Sequence, residues 1–321
     1  MDPTPRPARK LPLRTIGAFI GLFLALYAAA FAIAERTVAR GEADTAFQKL
    51  LAARGERADW VVLGASHALP LAFGDVPGRL EADTGQTMMI LAEIGAGPLY
   101  NRFVFEQALS DLEVKHLLYA IDSFGFGSED WNEARLGDRK LLRQMPLRLS
   151  TASALGGFVL EGHAGPRGLL DYLTGFSKLN PVDRFPQEGW RGAEDFDRSF
   201  RPSRHAVSAR ISYLYPDGAP DRATVGHYLG ILDGLFDSAE AAGVRVVVVK
   251  LPIPEAFRKA LPGEESFDRL LRDRLASRGI PFHDLSETVD DPSLYFDTDH
   301  LNRRGVDLLY RDHLLGVLAP D

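Results

Sequence analysis

The sequence predicts an α/β fold built on a doubly wound parallel sheet. Short apolar runs alternate with segments of helical periodicity in two parts of the chain, which implies right-handed crossovers and parallel strands. The strongest run, Val244 to Leu251, is rich in β-branched residues and ends at Pro252. A central parallel strand that is buried on both faces requires such a run.

Five runs are predicted as strands and four segments as helices. The predicted strands are residues 60–63, 87–91, 116–122, 244–251 and 280–285. The predicted helices are residues 100–112, 225–242 and 267–278, with a last helix that follows residue 302. Bounded apolar runs of this length are typical of buried strands, and the apolar spacing of the longer segments is typical of helices.

Residues 128–223 interrupt this order. They are rich in glycine, proline, arginine and aromatic residues, and they are too many for a plain loop. We therefore expect an inserted cap or lid beside the active edge of the sheet. Its cationic patch either holds an anionic saccharide or the carboxylates of a partner, or it pairs with the nearby Glu194, Asp195 and Asp197. Its aromatic residues either stack on sugars or pack internally. The patch comprises Arg198, Arg201, Arg204 and His205, and the aromatic residues are Trp131, Tyr172 and Trp190.

Residues Thr15 to Ala34 form twenty consecutive positions without a charge. A helix of this length spans the hydrocarbon core of a bilayer, about 30 Å thick. Basic residues precede it, which predicts a cytoplasmic tail over residues 1–14 and export of the rest. The alternative is a cleaved signal peptide, because residues 32–34 form a small-x-small site. Residues 35–58 are predicted to form a charged linker helix that leads to the main domain, residues 59–321.

Composition excludes several classes of function. The 321 residues carry a net charge of −7, and 45% are apolar. No basic stripe is present, which argues against a nucleic-acid partner. The chain has no cysteine, so disulfides and thiolate metal sites are excluded. No nucleotide-binding or metal-binding motif occurs, and we expect neither a metal nor another cofactor.

A serine follows the first predicted strand, in the stretch Gly64-Ala65-Ser66-His67. Open α/β sheets place reactive groups at the carboxyl ends of their strands. Ser66 therefore either acts as a nucleophile there or caps the next helix.

An aspartate and a histidine lie in the loop before the last helix, in Asp297-Thr298-Asp299-His300. Asp297 is placed to orient the imidazole of His300, whose other nitrogen would then accept a proton from a serine. The alternative is a pair of loop carboxylates beside a surface histidine. His67 would line the site without acting as the base.

Together these two stretches resemble the SGNH (GDSL-like) hydrolase superfamily, over roughly residues 58–125 and 224–318. Alanine replaces the family's aspartate before the serine, and the nearest resemblance is to membrane-anchored O-acetyltransferases of cell-envelope polysaccharides. The resemblance implies a flavodoxin-like, SGNH-type sheet with Ser66 as the nucleophile, His300 as the base and Asp297 as its partner.

The resemblance also implies an oxyanion hole. Its donors would be the amide of Ser66 and the amide of a glycine after the second strand, with Gly97 preferred over Gly95. The family's asparagine after the third strand is missing, and Asp122 and Ser123 stand in its neighbourhood. Ser123 is the candidate replacement, although loss of one such donor typically costs about 2.7–4 kcal/mol of transition-state stabilisation.

The sequence thus predicts transfer or hydrolysis of an ester-linked acyl group, with O-acetyl transfer to an exported polysaccharide as the first expectation. The domain would face the periplasm on a single-pass anchor in a bacterial inner membrane, and a multi-spanning protein would deliver the acyl group. Weak substrate contacts are expected from His67, Arg201, Arg204 and His205. The alternatives are a periplasmic esterase or lipase for soluble substrates, and a non-catalytic scaffold of an exopolysaccharide system.

Overall fold

The computed structural model describes residues 13–41, 45–180, 190–201 and 203–319. Arg6, Arg9 and Lys10 of the predicted cytoplasmic tail lie outside these residues. The strands are β1 Arg57–Gly64, β2 Met88–Ile90, β3 Glu113–Ala120, β4 Arg245–Lys250 and β5 Phe282–Asp284.

All five strands form one parallel sheet in the order β2-β1-β3-β4-β5. This is the flavodoxin-like order, and it confirms the predicted fold class. The third strand differs from its prediction, since it begins at Glu113 and ends at Ala120, which leaves Asp122 in the loop beyond it. The strand order reverses its direction of growth between β1 and β3, and ligands of such sheets bind at this position.

Helices lie on both faces of the sheet, as a doubly wound fold requires. The first half of the chain contains α1 Leu13–Arg40, α2 Ala46–Ala52, α3 Leu69–Phe73, α4 Val76–Thr84, α5 Pro98–Asp111, α6 Glu133–Leu136, α7 Arg139–Gln144 and α8 Leu149–Leu160. The second half contains α9 Pro166–Thr174, α10 Phe176–Leu179, α11 Gly192–Asp195, α12 Arg204–Leu214, α13 Arg222–Ala241, α14 Glu255–Arg258, α15 Glu264–Arg278, α16 Arg303–Leu309 and α17 Leu315–Leu318. One apolar core lies under α2, α5, α13 and α15, and a second lies under α3, α4 and α16.

Gly64 lets the first and third strands approach each other closely where β1 ends. Its φ of +147° is in a region that side chains rarely adopt, and a Cβ there would lie 2.6 Å from the carbonyl oxygen of Ala120. A glycine is therefore required at the point where the chain leaves the sheet toward Ser66.

The segment between β3 and α13 is largely helical. Seven helices, α6 to α12, lie in the described part of residues 128–223, although the sequence shows little periodicity there. Five of the seven have four to nine residues, which leaves few positions in which a 3.6-residue repeat can be recognised. The longer α8 and α12, with 12 and 11 residues, have only a weak amphipathic pattern.

The N-terminal apolar stretch forms α1, which is long and apolar enough to cross a membrane. An 18-residue apolar stretch of this helix contains no buried residue. α1 continues to Arg40, and α2 follows at Ala46. The single linker helix predicted over residues 35–58 is thus replaced by the end of α1, the separate α2 and the start of β1.

Candidate active site

Ser66 and His300 line the same cavity, which has a volume of about 300 Å³. Ser66 begins a short 3₁₀ turn two residues after β1, and His300 lies in the loop before α16. Both side chains are buried, with exposed fractions of 4% and 1%. The cavity is also lined by Ile94, Gly95, Phe124, Trp131, Trp190, Arg210, Tyr213 and Leu214. The fold therefore brings together two residues that are 234 positions apart in the chain (300 − 66).

Asp297 fixes the orientation of the His300 ring. His300 Nδ1 lies 2.9 Å from each carboxylate oxygen of Asp297, and the His300 backbone N–H donates to the same carboxylate at 2.8 Å. Trp190 Nε1 donates to it at 3.2 Å. Burial alone would raise the pKa of Asp297, but the charge and hydrogen bond of His300 lower it below its usual value. The carboxylate is therefore ionised at neutral pH and accepts the Nδ1 proton.

The second ring nitrogen of His300 is left without a partner. Nε2 is buried and forms no hydrogen bond with any described residue. With the Nδ1 proton held by Asp297, Nε2 carries the lone pair. Among the described residues no hydrogen bond joins the Ser66 hydroxyl to Nε2, but catalytic hydrogen bonds often tighten only when substrate binds. The arrangement provides an oriented base and a hydroxyl in one cavity.

Aromatic rings enclose this base. The Phe296 ring stacks on His300 with 5.6 Å between ring centroids, and the Trp190 ring lies 4.8 Å from it. Trp131 and Trp190 line the cavity. Both rings also pack internally, Trp131 against Phe124 and Trp190 against Phe73, as the alternative expectation for these residues stated. Tyr172 does not line the cavity, because its ring is fully buried and its hydroxyl donates to the Pro146 carbonyl at 2.7 Å.

His67 bridges two carboxylates beneath the cavity. Its Nδ1 lies 2.5 Å from Asp122 and its Nε2 lies 3.0 Å from Asp299. A neutral imidazole has only one N–H, so both contacts are hydrogen bonds only when the ring is protonated. Burial alone would lower the pKa of His67, but the two carboxylates outweigh it and raise the pKa from 6.5 to about 10. The ring is thus an imidazolium at neutral pH.

Arg210 of α12 completes this buried network. Its Nε lies 3.0 Å and its Nη2 2.9 Å from the same oxygen of Asp299. Asp299 is 1% exposed, so burial alone would raise its pKa, whereas His300, His67 and Arg210 lower it well below the usual range. The network therefore contains two cations, His67 and Arg210, and two carboxylates, Asp122 and Asp299. It links the ends of β1 and β3 to the loop of His300 and to the insert. Sequence reasoning missed Arg210, and it assigned no role to Asp299 beyond the loop.

Two predicted oxyanion donors have other partners. The Gly97 amide donates to the carbonyl of Trp131 at 2.7 Å. The Ser123 hydroxyl contacts the Tyr215 hydroxyl at 2.7 Å and the Glu264 carboxylate, and Ser123 lines a different, smaller cavity. Both assignments are therefore corrected. Gly95, the alternative glycine of this turn, does line the cavity, and the role of the Ser66 amide stays a prediction.

The predicted substrate contacts are also corrected. Arg201, Arg204 and His205 are exposed, and none of them lines the cavity. His67 is buried between its two carboxylates and does not face the cavity either. Arg198 pairs with Asp195 at 2.7 Å, as the alternative interpretation of the cationic patch expected. The cationic residue of the cavity is Arg210, six residues after Arg204 on the same helix.

Comparison with known proteins finds similar solved structures. No protein-family model matches the chain, and no curated protein sequence matches it. A proposed acylhydrolase of Bacteroides fragilis NCTC 9343 is similar with a TM-score of 0.44 and 11% identity, over 87% of this chain and 97% of the other. A GDSL-like lipase of Bacteroides thetaiotaomicron VPI-5482 is similar with a TM-score of 0.38 and 9% identity, over 90% of this chain and 98% of the other.

Proposed function

We propose that the chain is a membrane-anchored, SGNH-like serine enzyme that transfers or hydrolyses an ester-linked acyl group. One observation supports this above the others: Ser66 shares a cavity with a buried histidine whose Nε2 has no partner and whose Nδ1 is held by Asp297. A serine hydroxyl becomes an effective nucleophile when a base of this kind takes its proton.

In the proposed reaction the Ser66 oxygen attacks the acyl carbonyl while His300 Nε2 takes the hydroxyl proton. The tetrahedral intermediate expels the donor alcohol, which leaves with the proton from His300, and an acyl-Ser66 ester remains. An acceptor hydroxyl then attacks this ester, again giving its proton to His300, and Ser66 recovers a proton when the product leaves. Water as the acceptor gives hydrolysis, and a sugar hydroxyl gives transfer.

The oxyanion would be held by the amides of Ser66 and Gly95, with the Arg210 guanidinium nearby. Arg210 lines the cavity. Its Nε and Nη2 bind Asp299, and its Nη1 forms no hydrogen bond with a described residue. A guanidinium in this position would replace the amide of the missing asparagine as a donor.

The acceptor would be a cell-envelope or exported polysaccharide, and the acyl group an acetyl group. Trp131 and Trp190 on the cavity wall support a sugar acceptor, since aromatic faces are suited to sugar rings. We place the domain in the periplasm on α1, anchored in a bacterial inner membrane, with a multi-spanning protein as the acyl donor.

The test uses a fluorophosphonate probe and a short-chain ester on the full chain. We expect the probe to label Ser66 and the ester to be cleaved, and Ser66→Ala to abolish both. Arg204→Ala, which changes an exposed residue outside the cavity, is the control. Faster acyl release with an added sugar acceptor than with water alone would identify a transferase, and equal release would identify a soluble-substrate esterase.

A second candidate is a non-catalytic scaffold of an exopolysaccharide system. It is favoured by the absence of a Ser66–His300 hydrogen bond in the described structure and by the other partners of the Gly97 amide and Ser123. An unlabelled Ser66 in folded protein would select this candidate over the enzyme.

A further inference from the structure

The helix α1 contacts the insert along a stripe on one side of the helix. Tyr27, Phe31, Ala34, Glu35 and Val38 are the half-buried positions within residues 15–40. Apart from the adjacent Ala34 and Glu35, successive positions are three or four residues apart, which places them on one side of the helix. The rest of α1 between these positions is exposed, so its other faces are open to the surroundings.

The contacts of this stripe lie deep in the apolar part of α1. The Tyr27 hydroxyl donates to the carbonyl of Thr174 at 2.9 Å, and the Phe31 ring packs against Gly175, where a Cβ would overlap it. Gly175 has a φ of +64° and joins α9 to α10. Tyr27 lies seven residues before Ala34, the end of the uncharged stretch, which corresponds to about 10 Å along a helix. If α1 spans a bilayer, the α9–α10 turn therefore lies at the depth of the lipid chains.

Charged and polar contacts mark the other end of the stripe. The Glu35 carboxylate contacts the ammonium of Lys178 and accepts the Leu147 amide proton at 2.8 Å. These groups begin where the uncharged stretch ends, at the height where a bilayer changes from hydrocarbon to headgroups.

Exposed apolar side chains surround these contacts. Outside α1, eight large apolar residues of the described structure are exposed, and two of them, Ile94 and Tyr213, line the active-site cavity. The other six belong to residues 147–176: Leu147, Leu149, Leu160, Leu170, Leu173 and Phe176. Their exposed fractions reach 91% at Leu149 and 60% at Leu170. A soluble surface rarely concentrates exposed apolar residues in this way.

We propose that the insert surface formed by Leu147, Leu149, Leu170, Leu173 and Phe176 is seated in the lipid bilayer that α1 spans. The proposal commits to phospholipid as the occupant because this part of the insert contacts α1 at Thr174, Gly175 and Lys178, and α1 is long and apolar enough to span a membrane. Burial of such side chains among lipid chains contributes about 25 cal/mol per Å² of apolar surface. The domain is then held by two elements, so its orientation on the membrane is fixed.

This proposal depends on α1 as the anchor, and it is independent of the chemistry at Ser66. The chain has no cysteine, so single-cysteine variants accept one fluorescent label each. The variants are Leu173→Cys and Phe176→Cys, with Ile20→Cys in α1 as the lipid-exposed reference. Ala276→Cys, at an exposed position of α15, is the matched reference for water.

The full chain is reconstituted in vesicles of phosphatidylcholine and phosphatidylglycerol, with and without spin-labelled lipid. We expect labels at 173 and 176 to shift their emission to the blue and to lose fluorescence to spin-labelled lipid, as at position 20. The label at 276 is expected to lose fluorescence only to aqueous iodide. Iodide quenching at 173 and 176 equal to that at 276 would overturn the proposal and would instead leave this surface to a protein partner. Fluorophosphonate labelling of the same samples reports on Ser66 separately.

Discussion

Two buried histidines lie side by side at the active edge, with 4.8 Å between their ring centroids. His67 has a carboxylate at each nitrogen, whereas His300 has carboxylates at Nδ1 alone. A ring held at both nitrogens keeps its protons, and a ring held at one can exchange a proton at the other. The base of the proposed enzyme is therefore His300, and His67 positions Asp299 beside it.

Asp297 is expected to act through the orientation of His300. Asp297→Asn leaves an amide that favours the wrong tautomer of the ring, so we expect kcat for a short-chain ester to fall by about 10³–10⁴-fold. Asp290→Asn makes the same change at an exposed position nearby and serves as the control. Activity within a few-fold of the unchanged protein in Asp297→Asn would show that His300 does not depend on this carboxylate.

Because of His67, we expect the free energy of unfolding to decrease as the pH rises above neutrality. Its pKa is raised from 6.5 to about 10 in the folded protein, so its stabilisation is complete below pH 6.5 and is lost as the pH rises toward 10. Urea unfolding between pH 7 and 10 should show this decline. His67→Gln should reduce the decline, and it should cost about 3–5 kcal/mol at pH 7 because Asp122 loses its cation and Asp299 keeps only Arg210.

His116→Gln is the matched control, because His116 is a half-buried histidine whose Nδ1 contacts a backbone carbonyl at 2.9 Å. It should leave the decline with pH unchanged. Equal slopes in the unchanged protein and in His67→Gln would contradict the assignment of an imidazolium at position 67.

Local sequence signals account for part of the site and fail for the rest. Ser66 after a strand, and Asp297 three residues before His300, are recognisable because each lies in a short motif. His67, Asp122, Asp299 and Arg210 form their network through contacts across 55 to 232 positions, and no local pattern predicts that these four side chains meet. The signal for His67 and Asp122 was available, since each follows a strand at the same edge of the sheet.

At the scale of elements, the regular part of the fold was predictable from periodicity and the insert was not. The five predicted strands correspond to the five observed strands. The central strands β1, β3 and β4 contain the long apolar runs that burial on both faces requires, whereas the edge strands β2 and β5 are three residues long and mostly half-buried. Five of the helices α6 to α12 have nine residues or fewer, and contacts with neighbouring elements position them. α12 is positioned in the same way, since it meets the rest of the site through the pairing of Arg210 with Asp299.

Arg210 therefore joins the insert to the loop that carries Asp299 and His300. Arg210→Met removes the cation beside Asp299, and we expect lower thermal stability together with a loss of ester turnover of about 10²-fold or more. Arg204→Met changes an exposed arginine of the same helix and should alter neither. Both variants are compared by thermal unfolding and by kcat for a short-chain ester. Identical behaviour of the two variants would remove Arg210 from the site.

At the scale of the whole molecule, the insert contacts both the candidate site and α1. The insert supplies Trp131 and Trp190 to the cavity, and its α9–α10 turn contacts α1. The sequence predicted both the apolar segment and the insert, but their contact depends on Gly175 and Glu35, which no periodicity singles out. The same contacts bear on whether α1 stays in the mature protein or is removed by cleavage.

We expect α1 to remain part of the mature protein. Residues 32–34 resemble a signal-peptide cleavage site, but α1 is helical through this point to Arg40, and cleavage after Ala34 would remove Tyr27 and Phe31 from the insert. Proteolysis favours exposed loops over helices. We therefore expect the intact mass of chain extracted from membranes to include α1, and Ala32→Leu with Ala34→Leu to change that mass only by the two substitutions themselves. A shorter species that begins at Glu35 in the unchanged chain, and that disappears in the double variant, would establish cleavage and release the domain from its anchor.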